Sequence, residues 1–313
     1  MAKGALRTTG AAALAVGAVG AASLAYASLI ERKQFTLREY TVPALPAGAE
    51  PIRVLHLSDL HMAPWQREKQ LWVSQLAQLQ PDLIVDTGDN LGHPDGIDGI
   101  RAALEPFRRT PGVYVWGSND YFGPKPRNPL RYFTGPSKLH NEPPTLDIAG
   151  LKAYLDGLGL TELNNTAASL EIKGTRLELF GVDDPHREFD RLEVMADALA
   201  ALPEHEQPAV RIGVAHAPYQ RVLDDFVDRG AKLIFAGHTH GGQVCVPGYG
   251  ALVTNCDIPR RQVKGLSMWR HSLRAAYLHV SAGLGTSIYA PVRFACRPEA
   301  SLITLVPEGR ASV

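Results

Sequence analysis

The sequence predicts an α/β fold whose sheet is mostly parallel in its first half. Short apolar segments (52–61, 82–90 and 112–120) alternate with segments of helical spacing. Such alternation is typical of strand–helix–strand units. Each of these strands ends in polar residues, and ligands of such sheets bind beyond the carboxyl ends of the strands.

Helices are predicted where apolar residues recur at helical spacing. The first of them, over 67–80, stops before Pro81, and the second covers 96–108. Further helices are predicted at 146–159, 188–202 and 219–230. Further strands are predicted at 167–174, 175–184, 210–218, 231–242, 243–246, 275–281 and 301–306.

The N-terminal residues 1–33 are predicted to form a membrane anchor or a signal segment. Residues 8–30 carry no charge and are long enough to cross a bilayer as a helix. An uncleaved anchor is favoured over a signal peptide cleaved near Ala27, because the apolar run continues through Leu29 and Ile30. A buried core helix is disfavoured because the segment has no amphipathic face.

The charges that flank this segment bear on its orientation. Lys3 and Arg7 favour a cytoplasmic N-terminus, which would place the body of the chain outside the cytoplasm. Arg32 and Lys33 on the far side weigh against that topology. The sequence therefore predicts a membrane-anchored protein with an exported domain, and secretion after cleavage near Ala27 is the alternative.

One domain is predicted over residues 50–307. Residues 34–49 are expected to act as a linker that begins with an edge strand, and 308–313 as a short tail. The insert at 123–147 is rich in proline and basic residues, and long irregular inserts in compact domains are usually functional or mobile. It is expected either to be a solvated loop or to act as a lid in which Arg127 and Arg131 contact phosphate oxygens.

Composition argues against nucleic acid as a partner. Lys plus Arg and Asp plus Glu both number 32, so no basic excess exists to neutralise phosphates. The cysteines Cys245, Cys256 and Cys296 are far apart and form no C-x-x-C pair, so a cysteine metal site is not indicated. One disulfide stays possible.

Five polar blocks follow predicted strands and share an enrichment in histidine and aspartate. One such residue commonly caps a turn, but five blocks that converge on one edge are improbable as independent caps. Mixed nitrogen and oxygen ligands suit Mn, Fe or Zn, and their number exceeds one tetrahedral site. The blocks therefore predict two divalent metal ions bridged by a carboxylate. They are Asp59-Leu60-His61, Gly88-Asp89-Asn90, Ser118-Asn119-Asp120, Ala215-His216-Ala217 and Gly237-His238-Thr239-His240.

In order and in type, the five blocks resemble those of the calcineurin-like metallophosphoesterase superfamily, namely D-x-H, G-D-x-x, G-N-H-[DE], a lone histidine and G-H-x-H. The resemblance covers about residues 50–307. The segment 280–305 is also similar to a membrane-anchored or exported subgroup related to the UDP-2,3-diacylglucosamine pyrophosphatases. The resemblance implies a four-layer α/β/β/α sandwich of two mixed sheets flanked by helices.

The resemblance also implies an activity and a role for each block. A hydroxide between two metals would attack phosphorus in line, which makes the chain a dinuclear metal-dependent phosphohydrolase. The first metal is implied to be held by Asp59, His61 and His240, with Asp89 as the bridge, and the second by His216, His238 and the amide of the third block. The implied catalytic residues are Asp89, Asn119 and Asp120. The expected substrate-binding residues are Ser118, Asn90, His93, Arg127 and Arg131.

The third block departs from the family pattern because it reads Gly117-Ser118-Asn119-Asp120 and lacks the histidine. In an ungapped register, Ser118 takes the place of the family's asparagine. After a shift of one residue, Asn119 is the metal ligand. Asn119 is favoured because a carbonyl oxygen is a better ligand for these metals than a hydroxyl.

The missing histidine bears on the leaving group. In the family it is thought to help bind phosphate and to protonate the leaving group. An alkoxide gains much from a general acid, whereas a leaving phosphate gains less. The sequence therefore favours a phosphoanhydride, such as a pyrophosphate-linked nucleotide-lipid or nucleotide-sugar. Faster cleavage of a matched alkyl phosphodiester would contradict this hypothesis.

A competing hypothesis is that another histidine replaces the missing one. His93, His140 and His186 are candidates, although each is more typical of a surface or turn histidine. Asp183 and Asp184, just before His186, are equally consistent with a substrate contact and with a turn cap.

Two further functions stay open beside a phosphohydrolase that acts on a phosphorylated small molecule or lipid. One is a metal-binding but inactive scaffold or sensor of the same fold, although a decayed site would be expected to have lost ligands. The other is a secreted phosphodiesterase of broad specificity.

Overall fold

The computed structural model describes residues 2–124, 145–204 and 209–309. Its strands are β1 (Thr36–Leu45), β2 (Ile52–Leu57), β3 (Leu83–Asp86), β4 (Gly112–Tyr114), β5 (Leu160–Glu162), β6 (Thr166–Ile172), β7 (Thr175–Gly181), β8 (Val210–Val214), β9 (Leu233–Ala236), β10 (Cys245–Val246), β11 (Gly250–Ala251), β12 (Gly265–His271), β13 (Arg274–Val280) and β14 (Glu299–Pro307). Its helices are α1 (Ala2–Leu29), α2 (Arg67–Gln75), α3 (Ile97–Leu104), α4 (Ser118–Tyr121), α5 (Ile148–Leu158), α6 (Leu192–Ala200) and α7 (Gln220–Asp228).

Two six-stranded sheets form the frame of the domain. The strand order is β1-β14-β2-β3-β4-β5 in the first sheet and β12-β13-β9-β8-β7-β6 in the second. In the first sheet β2 to β5 run parallel, and β14 is antiparallel to β2 but parallel to β1. In the second, β7, β8, β9 and β13 are parallel, with antiparallel β6 and β12 at the edges. Both sheets are therefore mixed.

The side chains of β2 alternate between two apolar cores, because successive residues of a strand point to opposite faces. Leu55 and Leu57 pack with side chains of α2, α3 and α5. Ile52 and Val54 pack against β7, β8 and β9 of the other sheet. The outer face of the second sheet is covered by α6 and α7. The layers run helix, sheet, sheet, helix, which confirms the expected α/β/β/α sandwich.

The strands that sequence reasoning missed are those with little burial. Only Trp269 is buried among the residues of β12, so this edge strand carries no continuous apolar run. The expected edge strand before the domain is present as β1, and it extends to Leu45. Since β1 pairs with β14 along its length, this segment is part of the first sheet, and only residues 46–51 connect it to β2.

The second half of α1 and the short 3₁₀ turn after it, together Leu14–Lys33, form a stretch that is long and apolar enough to cross a membrane. Its end is bonded to the domain. The Arg293 N–H donates to the carbonyl of Ala27 at 3.1 Å. The carboxylate of Glu31, which is buried, accepts the N–H groups of Ala295 at 3.1 Å and Cys296 at 2.7 Å.

Candidate metal centre

The five blocks meet where the two sheets face each other. The first three follow β2, β3 and β4 of the first sheet, and the last two follow β8 and β9 of the second. The sequence analysis expected them to converge on one edge of a sheet. The structure instead brings them together from two facing sheets, so each sheet contributes part of the centre.

The loops that carry the blocks have unusual backbone conformations. Five of the candidate ligands lie in the left-handed region, which side chains other than glycine rarely adopt. Such strained conformations cluster at functional sites because the surrounding structure has to hold them there. They are Asp59 (φ 50°), His61 (φ 38°), Asp89 (φ 57°), His238 (φ 65°) and His240 (φ 51°).

Four side chains form a first cluster of candidate ligands. The Nε2 atoms of His61 and His240 are 3.2 Å apart, and Asp59 Oδ1 lies 3.4 Å from His240 Nε2. Asp89 Oδ2 lies 3.5 Å from His61 Nε2. Two atoms that bind one ion at about 2.0–2.2 Å are separated by roughly 3.0–3.5 Å. One ligand atom from each of the four side chains lies within 4.8 Å of the other three, so the cluster has the dimensions of a metal site.

A second set of ligand atoms adjoins the first. His216 Nε2 lies 3.2 Å from His238 Nδ1 and 3.5 Å from Asp89 Oδ2. The Asn119 side-chain amide donates to the same Asp89 Oδ2 at 2.7 Å, and its backbone N–H donates to Oδ1 at 2.7 Å. Asp89 thus lies between the two sets, in contact with His61 on one side and with His216 on the other.

The donor set fits divalent ions. Asp59 Oδ1 is buried without a hydrogen-bond partner, which is typical of an oxygen that faces an ion. Burial lowers the pKa of His61 to about 4 and that of His240 to about 3. Both imidazoles are therefore neutral at physiological pH, which is the form that binds a metal.

Asp89 and His216 shift each other's pKa away from the direction that burial alone would give. Burial alone would raise the pKa of Asp89, but His216 and His61 outweigh it and hold that pKa well below its usual range. Burial alone would lower the pKa of His216, but Asp89, Asp59 and Asp184 raise it well above its usual range. The centre thus keeps Asp89 ionised, as a bridging carboxylate requires.

Backbone carbonyls orient three of the histidines. The ring nitrogens turned away from the centre lie 2.7 Å from Thr87 O for His216, 3.1 Å from Gly285 O for His240 and 3.1 Å from Asn255 O for His238. When such a ring is neutral, an N–H donated to the carbonyl leaves the opposite nitrogen with its lone pair toward the centre. This is the arrangement that metal-binding histidines usually have. Because its pKa is raised, His216 would have to release a proton when a metal binds.

Asp120 holds the loops of the second and third blocks together. Its fully buried carboxylate accepts the N–H groups of Gly117 at 2.9 Å, Asp89 at 2.8 Å and Asn90 at 2.7 Å. Both oxygens of this expected catalytic residue are therefore occupied by backbone donors. This is the arrangement of a residue that positions the ligand loops rather than of one that reaches a substrate.

Close approach of the third block to the ligands requires glycine at 117. A Cβ on Gly117 would lie 2.3 Å from Asp89 Oδ1 and 2.7 Å from His216 Cε1, both far inside contact distance. This explains why the block begins with glycine, even though the two residues that follow differ from the family pattern.

The expected substrate-binding residues are found in different surroundings. The Ser118 hydroxyl donates to the Asp184 carboxylate instead of to a ligand loop. Asn90 is buried beside Asp89. His93 Nδ1 accepts the Asp95 N–H at 3.1 Å, and its ring packs edge-on against Trp65. Arg127, Arg131 and His140 lie outside the described residues.

Two residues whose role the sequence left open, Asp184 and His186, lie in the turn after β7. Asp184 is fully buried, and burial raises its pKa to about 6. Its neighbour His186 lies against His238, with 4.6 Å between ring centroids. The sequence signal was the pair Asp183-Asp184 after a buried strand, which equally fits an ordinary turn cap.

Comparisons with known proteins agree with this geometry. The profile of the calcineurin-like phosphoesterases matches residues 52–242. An uncharacterized metallophosphoesterase, YkuE of Bacillus subtilis (strain 168), is 25% identical over 308 residues, which cover 94% of this chain and 93% of that protein. Phosphodiesterase YaeI of Escherichia coli (strain K12) is 25% identical over 286 residues, with 90% and 92% covered. A transmembrane protein with metallophosphoesterase domain from Danio rerio is 26% identical over 219 residues, with 66% and 44% covered.

The family match spans more than half of the chain and contains all five blocks with their ligand residues. The chain belongs to the calcineurin-like phosphoesterases, a family of metal-dependent hydrolases.

Proposed function

We propose that the protein is a dinuclear metal-dependent phosphohydrolase that cleaves a phosphoester or pyrophosphate bond in a lipid- or nucleotide-linked substrate. The observation that carries this proposal is the position of Asp89 Oδ2, 3.5 Å from both His61 Nε2 and His216 Nε2. One carboxylate oxygen that faces two imidazole sets is the arrangement that a bridged pair of metals requires.

The described residues divide into two proposed ligand sets that share Asp89. One set is Asp59, His61, His240 and Asp89, and the other is Asp89, His216, His238 and Asn119. Bound Mn, Fe or Zn would lower the pKa of water and offset charge on the phosphoryl oxygens. For its part, the chain holds the ligands in place through the backbone carbonyls behind the histidines and through Asp120.

In the register of the third block, the contacts support Asn119 as the ligand. Its side chain contacts Asp89, whereas the hydroxyl of Ser118 turns to Asp184. The atom of the Asn119 side chain that contacts Asp89 is the amide nitrogen, so the carbonyl oxygen would face the second ligand set after the amide group turns by about 180°. The Ser118 hydroxyl is already hydrogen-bonded to the buried Asp184 carboxylate and is therefore less available to a metal.

The contacts of the N-terminal segment support its role as a membrane anchor. An enzyme held at a membrane would have access to lipid-linked substrates. Ala27 is buried and its carbonyl accepts the Arg293 N–H, so the chain at the possible cleavage site Ala25-Tyr26-Ala27 is bonded to the domain. Cleavage after Ala27 would sever the helix at this contact. We therefore expect the mature protein to keep residues before Ala27 and to fractionate with membranes. A mature N-terminus near Ser28, found by intact mass, would contradict the anchor.

An inactive scaffold of the same fold is the alternative function. The structure supports activity instead, because the six histidine and aspartate ligands are brought within ligand-to-ligand distances of one another. A screen of the metal-reconstituted chain over nucleotide-sugars, nucleotide-lipids, cyclic nucleotides and phospholipids tests the proposal, with Asp89→Asn as the blank. Turnover of none of these substrates, nor of an aryl phosphodiester, would favour the scaffold.

A further inference from the structure

The third block reaches across to the turn that follows β7. The Ser118 hydroxyl donates to the carboxylate of Asp184. The Tyr121 hydroxyl lies 2.8 Å from both carboxylate oxygens of Asp183. Ser118 of the block that lacks the family's histidine, and Tyr121 just after that block, therefore contact the turn in which another histidine lies.

Asp184 also shapes that turn from inside. Its carboxylate accepts the His186 N–H at 2.9 Å and so caps the short 3₁₀ turn Pro185–Arg187. The same turn carries the His186 ring, whose centroid lies 4.6 Å from that of His238, one of the proposed metal ligands. His186 is only partly buried, so part of the residue is open to solvent beside His238.

Tyr219 lies where its hydroxyl can select one tautomer of the His186 ring. The Tyr219 hydroxyl lies 3.0 Å from His186 Nδ1. Burial raises the pKa of Tyr219, so the hydroxyl keeps its proton and can donate it to Nδ1. A neutral imidazole that accepts at Nδ1 carries its proton on Nε2 and is a donor there. No ionisation of the ring is needed.

The other candidate histidine in the described residues is held differently. His93 accepts the Asp95 N–H, and its ring packs against Trp65, so both contacts keep it with its own loop. Nothing in the third block contacts it. The link from Ser118 and Tyr121 leads to His186 instead.

We propose that His186 contacts the phosphoryl or leaving-group oxygen through Nε2–H and replaces the imidazole missing from the third block, with Tyr219 as its positioning residue. This inference rests on the proposed phosphohydrolase function. In the reaction, water oxygen bonds to phosphorus and the bond from phosphorus to the leaving oxygen breaks. The leaving oxygen keeps that electron pair, is stabilised by the His186 N–H, and takes up the proton that water releases.

The inference changes the expected range of substrates. Without a donor at the leaving oxygen, only good leaving groups such as phosphate would be released quickly. With His186 in place, poorer leaving groups are also accepted, so alkyl phosphodiesters are substrates beside phosphoanhydrides. The preference for a phosphoanhydride should then appear only when His186 is removed.

The test compares the full chain with His186→Ala and Tyr219→Phe over a series of phosphodiesters of increasing leaving-group pKa. His186→Ala is expected to lose about 10²-fold or more in kcat on the poorest leaving groups, within the range attributed to a positioned proton donor, and much less on the best. Tyr219→Phe should shift the same dependence in the same direction, to a smaller extent. His271→Ala, which removes a histidine paired with Asp224 and Asp228, is the matched control.

Two further readouts separate the proposed role from a structural one. Metal content should be the same in wild type and His186→Ala, and inorganic phosphate should bind the metal-loaded variant more weakly by calorimetry. An equal loss on all leaving groups, a loss of metal, or unchanged phosphate binding would overturn the inference. If the wild type cleaves none of the substrates, the proposed function fails, and phosphate binding still decides the role of His186.

Discussion

Replacing Asp89 by asparagine is expected to lower turnover of an aryl phosphodiester by at least about 10²-fold, the loss typical of removing one preorganised electrostatic contact in an active site. Asn has nearly the shape of Asp, but it removes the charge that lies between His61 and His216. A neutral amide is a poor bridge between two cations. We therefore expect the variant also to retain less metal than the wild type.

Asp98→Asn is the matched control for this experiment. Asp98 lies in the first turn of α3, where its exposed carboxylate pairs with Arg101. Steady-state kinetics and metal analysis of both variants would show whether the loss is specific to Asp89 or follows from removal of any one carboxylate charge. An Asp89→Asn variant that keeps most of its turnover would show that Asp89 does not bridge.

Replacing Asp120 by alanine is expected to lower the free energy of unfolding by roughly 3–5 kcal/mol, since a buried donor left without a partner costs about 1–3 kcal/mol. The change removes the acceptor of the Gly117, Asp89 and Asn90 N–H groups at once. Asp120→Asn keeps one carbonyl oxygen as acceptor and should lose less. Urea unfolding of the metal-free protein measures both.

The exposed Glu171→Ala change on β6 is a control for removal of a carboxylate as such. It should stay close to the wild type. An Asp120→Ala variant with wild-type stability would mean that the loops of the second and third blocks hold their conformation without this carboxylate. Asp120 would then have to be considered again as a group that acts on substrate.

Sequence reasoning found the ligand residues because the strands before them are buried on both faces. Strands such as β2 and β3 read as continuous apolar runs, and their polar ends are therefore easy to recognise. The residues alone did not indicate that the five blocks come from two different sheets. The two-sheet arrangement was implied by the family resemblance, which supplied long-range information that local patterns lack.

The turn that carries His186 illustrates what a local pattern cannot show. Ser118 and Asp184 are 66 residues apart, and Tyr121 and Asp183 are 62 apart. Nothing in either segment specifies the other, so the two contacts depend on how the sheets face each other. A polar side chain whose partner lies on another sheet looks, in sequence, like an ordinary turn residue.

A dinuclear, metal-dependent centre is tested by the metal content of the purified full chain, followed in parallel with its turnover of an aryl phosphodiester. Metal analysis is made on the chain as isolated, after chelation, and after reconstitution with Mn, Fe or Zn. The account predicts about two divalent ions per chain in the active form, with turnover lost on chelation and restored as both ions return. Turnover that survives complete removal of metal, or full activity with a single ion, would contradict it.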